Sequence, residues 1–308
     1  MKGFLSRFFP ELCAAVVAGV ILYFAQGYLD SPHKTAEEYF ISGNEKMDAQ
    51  NYEDAILDYT SAIQLNPKYM EAYWKRAESN FNLKSYESAI SDYNQAIKLG
   101  LHEASAYNNR GDCHAFLNNY DKAVEDFTQA MKLGSNDSVT YTSRGIACYQ
   151  LGNYEQAVED FNATISLGWK DDIIYNFLGL SYFHLKNYEQ AIINFENAIA
   201  LGKNKDEYLY RCLGNSYYYL GKYSQAIESY SKIIEFNPNY DIAYNNRGLC
   251  YATLEKYDEA LQDYSKAIEL NPNNTLAYGN RAEIYLKFNE NEKAAEDLKK
   301  AKEIANRQ

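Results

Sequence analysis

The 308 residues include only five Pro, two Trp and four His. Proline is the residue that most disrupts a helix interior, so its scarcity leaves long stretches free to be helical. The histidines, His33, His102, His114 and His184, share no repeated partner spacing, which argues against a metal centre. The five cysteines (13, 113, 148, 212 and 250) form no C-x-x-C pair, so neither a zinc ribbon nor a thioredoxin-like motif is present. There is no phosphate loop, no H-E-x-x-H, no G-x-S-x-G and no dinucleotide fingerprint. Positive charge is also in deficit: Lys and Arg number 30 against 42 Asp and Glu, a net charge of −12. Phosphate repulsion opposes nucleic-acid binding by such a chain. The expectation is a protein that is not an enzyme and holds no cofactor or metal. What the chain does have is tyrosine, 31 in all.

The first 35 residues stand apart. Residues 12–29 are apolar except for Gln26 and a few small residues, long enough to cross a hydrocarbon core as a helix. Lys2 and Arg7 precede them, and Asp30, His33, Lys34, Glu37 and Glu38 follow. The positive-inside bias then predicts a cytoplasmic tail over 1–11, a single-pass signal anchor over 12–29, a linker over 30–35 and an exported remainder. That would be periplasmic or extracytoplasmic in a bacterium. A signal peptide cleaved after residue 27 is the alternative, with Ala25 and Gly27 at the end of the apolar run.

Everything after residue 35 repeats. Ala55, Ala89, Ala123, Ala157, Ala191, Ala226, Ala260 and Ala294 recur every 34 residues, with one step of 35. Four residues after each stands an aromatic (Tyr59, Tyr93, Phe127, Phe161, Phe195, Tyr230, Tyr264), replaced by Leu298 in the last copy. Three further on is a small or apolar residue, such as Ala62 or Ile233. Spacings of three and four mark one helix face, and Leu-Gly or Asn-Pro ends the first seven copies. The unit is a helical hairpin that cannot bury its apolar face alone and must stack on its neighbours.

The pattern closely resembles the tetratricopeptide repeat family. Eight copies are delimited at 36–69, 70–103, 104–137, 138–171, 172–206, 207–240, 241–274 and 275–308. Gly43, Gly111, Gly145, Gly179, Gly214 and Gly248 occupy the family's small position in the first helix, with Ala77 and Ala282 substituting. The resemblance implies an all-α, right-handed superhelical solenoid of helix-turn-helix repeats, here preceded by one transmembrane helix. Its concave face would be lined by the first helices.

Within the chain two positions change together. Arg precedes the small residue at Arg76, Arg110, Arg144, Arg247 and Arg281, and sixteen residues later stand Asp92, Asp126, Asp160, Asp263 and Asp297. Where Leu178 and Leu213 replace Arg, Asn194 and Ser229 replace Asp. Only the first copy departs, with Ser42 and Asp58. A hairpin turning midway sets these positions face to face, so a partly buried ion pair is expected in each of five hairpins. Chance, with both residues in solvent, is the alternative.

The resemblance also places the second, fifth, sixth, ninth, twelfth and thirteenth residues of each repeat in the groove. In repeats four to six these include Val139, Ile146, Ile173 and Phe177, an unusually apolar stretch. The partner-binding candidates are Tyr149, Asn176, Leu180, Phe183, His184, Tyr208, Arg211, Asn215, Tyr218, Tyr219, Asn245 and Asn246. Arg211, Asn215 and Asn246 are similar to half of a carboxylate clamp in some members, whereas Leu276 and Asn280 stand where its other basic residues would be. The function expected is a membrane-anchored adaptor binding a protein or peptide in this groove. Self-association into an envelope component and a regulatory subunit of an enzyme are the alternatives. Tucking of half of these side chains between neighbouring helices would weaken all of them.

Overall fold

The computed structural model describes residues 34–202 and 206–306. They are entirely helical apart from turns, with sixteen α-helices and no strand among the described residues. The chain divides into two compact units, up to His102 and from Glu103.

The first unit holds two hairpins: α1 (Ala36–Asp48) with α2 (Tyr52–Leu65), and α3 (Met70–Asn82) with α4 (Tyr86–Lys98). Thr35 starts α1 with a capping box, its hydroxyl accepting from the Glu38 amide while the Glu38 carboxylate accepts from the Thr35 amide. The second unit holds six: α5 (Ala104–Phe116) with α6 (Tyr120–Lys132), α7 (Ser138–Gln150) with α8 (Tyr154–Ser166), α9 (Asp172–His184) with α10 (Tyr188–Leu201), α11 (Glu207–Tyr219) with α12 (Tyr223–Phe236), α13 (Asp241–Thr253) with α14 (Tyr257–Leu270), and α15 (Thr275–Lys287) with α16 (Asn291–Ala305). In this unit α5 touches α7, α7 touches α9, α9 touches α11, and α13 touches α15, so first helices lie side by side along one face. Each hairpin turns on a residue in the left-handed region, six of them non-glycine (Gln50, Lys84, Asn118, Lys186, Glu255 and Asn289) and two glycine (Gly152 and Gly221). These eight recur at the repeat period.

The repeated alanines and aromatics form the seam of each hairpin. All eight period alanines are fully buried, and so are the rings that follow them, from Tyr59 to Tyr264. Six of these rings close on the glycine of the first helix: Tyr59 on Gly43, Phe127 on Gly111, Phe161 on Gly145, Phe195 on Gly179, Tyr230 on Gly214 and Tyr264 on Gly248. At Gly179 a Cβ would fall 2.7 Å from the Phe195 ring, closer than atoms can pack. The glycine and the aromatic are therefore two halves of one close approach.

The membrane assignment does not survive. Among the described residues no helix is long and apolar enough to cross a membrane, which overturns the single-pass, exported localisation expected from sequence. The longest described helix, α16, has 15 residues and alternates charged and apolar faces, whereas a span needs about 20 apolar residues. The proposed tail, the anchor over 12–29 and the start of the linker lie outside the described residues.

Candidate functional site: an aromatic and amide face on the first helices

Five Arg–Asp pairs recur within the hairpins. Nη2–Oδ1 distances are 2.7 Å for Arg76–Asp92, 2.5 Å for Arg110–Asp126, 2.6 Å for Arg144–Asp160, 2.7 Å for Arg247–Asp263 and 2.8 Å for Arg281–Asp297. Nε donates to the second carboxylate oxygen in each, so all five are bidentate. Sequence reasoning missed a third member. The Nη1 of Arg76, Arg144, Arg247 and Arg281 also reaches a hydroxyl of the preceding hairpin: Thr60, Thr128, Ser231 and Ser265. One guanidinium thus ties two hairpins together. Tyrosine rings stack beside it, Tyr244 and Tyr251 at 5.6 and 5.9 Å from Arg247, and Tyr278 and Tyr285 at 5.9 and 5.8 Å from Arg281.

The exceptions are also resolved. In the first hairpin the cation for Asp58 is Lys46, 2.7 Å away and one turn beyond Ser42. Where Leu replaces Arg, Asn194 and Ser229 turn back to carbonyls of their own helices, at Gln190 (2.8 Å) and Gln225 (3.0 Å).

On the first helices of repeats four to six the rings form a continuous run. Phe161 stacks on Phe177, Phe177 meets Tyr149 at 5.3 Å, and Tyr149 meets His184 at 5.9 Å. His184 stacks flat on Tyr154 at 4.4 Å and meets Phe183 at 6.1 Å. Phe183 contacts Tyr219, Tyr219 contacts Tyr218, and Tyr218 contacts Tyr223. Five of the sequence candidates (Tyr149, Phe183, His184, Tyr218 and Tyr219) lie on this run. Tyr219 is 58% exposed and His184 is also open to solvent.

Beside the rings is a polar group. The Arg211 guanidinium lies 5.1 Å from the Tyr208 ring, and Tyr208 also hydrogen-bonds the Cys212 thiol. Burial pushes the Tyr208 hydroxyl up to about 12 and the Cys212 thiol up to about 11. Burial likewise raises Cys113 and Cys250 to about 12 and Cys148 to about 11, so these thiols stay protonated and unreactive at neutral pH. Among the described residues several buried side-chain polar atoms have no hydrogen-bond partner in the protein, and two of them, Asn176 Oδ1 and Arg211 Nε, belong to the candidates. Such orphans are uncommon in folded proteins.

The remaining candidates divide. Asn215 accepts from the Tyr230 hydroxyl (2.7 Å) and from Asn246 Nδ2 (3.5 Å). Asn245 donates to Asn246 (3.2 Å) and accepts from Asn280 (3.0 Å), so the four amides form a chain. Two candidates must be withdrawn from the contact surface. Leu180, 6% exposed, packs with Ile192, Phe195 and Leu209 in the core, and Asn245, also 6% exposed, is spent within the amide chain. No group of three or more His, Cys, Asp or Glu side chains suited to a metal occurs among the described residues.

Family models for the tetratricopeptide repeat match residues 104–137 and 242–274, and 142–206, 264–296 and 71–99. A TPR repeat model adds 43–84 and 214–255, so matches run through most of the chain from 43 to 296. No curated protein matches. Among solved structures the chain is similar to YrrB, described as a TPR protein with an unusual peptide-binding site. That match has 23% identity and a TM-score of 0.55, covering 60% of this chain and 95% of YrrB. It is similar to the C-terminal part of a TPR repeat-containing protein from Cytophaga hutchinsonii, at 23% identity and TM-score 0.62, covering 74% and 93%. It is also similar to MamA, at 27% identity and TM-score 0.52, covering 55% and 92%.

Proposed function

Because the chain belongs to the tetratricopeptide repeat family, we propose that it is a non-enzymatic adaptor that binds an extended peptide on the first helices of repeats four to six. The observation that carries this reading is the run of rings from Phe177 to Tyr218, open to solvent at His184 and Tyr219. Rings of this kind supply large contact area at low entropic cost. Specificity would come from Asn176 and Arg211, a half-buried amide and a half-buried guanidinium that can donate to the C=O groups of an extended peptide. The peptide-binding description of YrrB is in keeping with this, at the level of a shared fold.

The test is a peptide-library selection against the chain, followed by titration of selected peptides. Asn176→Ala with Arg211→Ala should weaken binding at least tenfold, with the helical spectrum unchanged. Asn215 is a poor choice for this test, because removing it strands the buried Tyr230 hydroxyl. Equal binding by the double variant would overturn the reading. Light scattering on the same samples reports self-association, the competing use of the face.

A further inference from the structure

The exchange of Arg for Leu changes the lining of a cleft on the sixth hairpin. An open cleft of about 600 Å³ lies between α10, α11 and α12. Leu213 forms its floor, and Tyr210 and Tyr217 line it. In repeats seven and eight a guanidinium lines the equivalent space, and in repeat eight a cleft of about 620 Å³ stays open beside it. There Arg247 and Arg281 lie beside tyrosines three residues before and four residues after them. Tyr210 and Tyr217 hold the same two positions around Leu213. The tyrosine pair has therefore been kept while the guanidinium between its rings has been lost.

The charges around the cleft have changed in a matching way. Ser229 replaces the aspartate of the second helix, and its hydroxyl is turned to Gln225. In four hairpins the residue five after the period alanine is the Ser or Thr that receives the arginine of the next hairpin. On α10 that place, five after Ala191, is Glu196. Its carboxylate is exposed and held by the Tyr217 hydroxyl at 2.5 Å. Glu228 adds a second exposed carboxylate at the rim. The basic side chain there, Lys232, is already joined to Glu235 at 2.9 Å. The cleft thus combines two aromatic rings, an aliphatic floor and a carboxylate moved from one wall to the other.

We infer that this cleft is a second binding site, for an arginine side chain supplied by a partner peptide. The incoming guanidinium takes the place that Arg247 and Arg281 fill within their own hairpins. Its faces meet Tyr210 and Tyr217, its N–H groups donate to Glu196, and its aliphatic stem lies on Leu213. Lysine fits less well, since a compact ammonium neither stacks between rings nor donates in a planar fork. The site is separate from the ring run on the first helices and stands or falls independently of it.

The experiment is a methyl NMR titration of the full chain, reading Ile199 and Leu213, with a blocked pentapeptide bearing one central Arg. Lys and citrulline versions of the peptide serve as comparisons. The Arg peptide should shift both methyls saturably, the Lys peptide at least threefold more weakly, and the neutral citrulline peptide should leave them unmoved. Leu213→Arg with Ser229→Asp restores the intramolecular pair at unchanged net charge and should abolish the Ile199 shift. Glu196→Gln should weaken binding at least fivefold, while Arg211→Ala should leave it intact. No saturable shift with the Arg peptide, equal shifts with citrulline, or full binding by the Leu213→Arg/Ser229→Asp variant would each overturn the inference.

Discussion

Replacing Arg144 with Leu exposes what the repeated ion pair does. Asp160 is 1% exposed and receives Nε at 2.9 Å and Nη2 at 2.6 Å from Arg144. The variant removes both and also the link to Thr128 at 3.3 Å. A buried carboxylate stripped of its partner costs about 3–5 kcal/mol. Gln156 Nε2 still donates to Asp160 at 3.3 Å, which trims the penalty. The expected loss in urea unfolding is about 3 kcal/mol at pH 7. Arg144→Leu with Asp160→Asn copies the Leu178–Asn194 arrangement of the fifth repeat and should fall within about 1 kcal/mol of the parent protein. The reasoning fails if Arg144→Leu costs under about 1 kcal/mol at pH 7. It also fails if the double variant is as unstable as the single.

Two further outcomes follow from packing and burial. Gly179→Ala drives a methyl group against the Phe195 ring and should lower stability by about 1–3 kcal/mol in the same unfolding assay. Burial raises the Asp112 carboxyl to about 6, partly offset by a hydrogen bond with Ser143. A carboxyl with a raised folded-state pKa favours the folded chain at low pH and loses that contribution as pH rises from about 4 to 6. Asp112→Asn should therefore gain about 2 kcal/mol over the parent at pH 7 and nothing at pH 4, read from unfolding curves at both.

The hairpins were legible in the sequence because their packing is periodic. An alanine and an aromatic four apart fix one face of the second helix, and a glycine fixes where the first must approach. The Arg–Asp pairs were legible because their exchange for Leu with Asn or Ser is itself repeated. What the period does not carry was missed. Lys46 serves Asp58 from a position one turn away from the expected column. The Ser and Thr that receive Nη1 belong to the preceding copy, outside the unit being compared. The ring run was half visible, since the groove positions of repeats four to six form an unusually apolar stretch in the sequence. Their contacts with Tyr154 and Tyr223 depend on how the hairpin turns bring helix ends together, and the contact of Tyr219 with Tyr188 on how one hairpin packs on the next. Leu180 and Asn245 were misjudged for a related reason: a groove position in one repeat becomes a core position when the neighbouring helix packs over it. The apolar run at 12–29 satisfied a length criterion, which the described helices, all of 15 residues or fewer, do not meet.

The most direct test of the central claim is the affinity of a library-selected peptide for the parent chain and for Asn176→Ala/Arg211→Ala, measured side by side by calorimetry. The account predicts saturable one-to-one binding that falls at least tenfold in the variant. Unchanged affinity, or a selection that yields no binder to the parent chain, would contradict it.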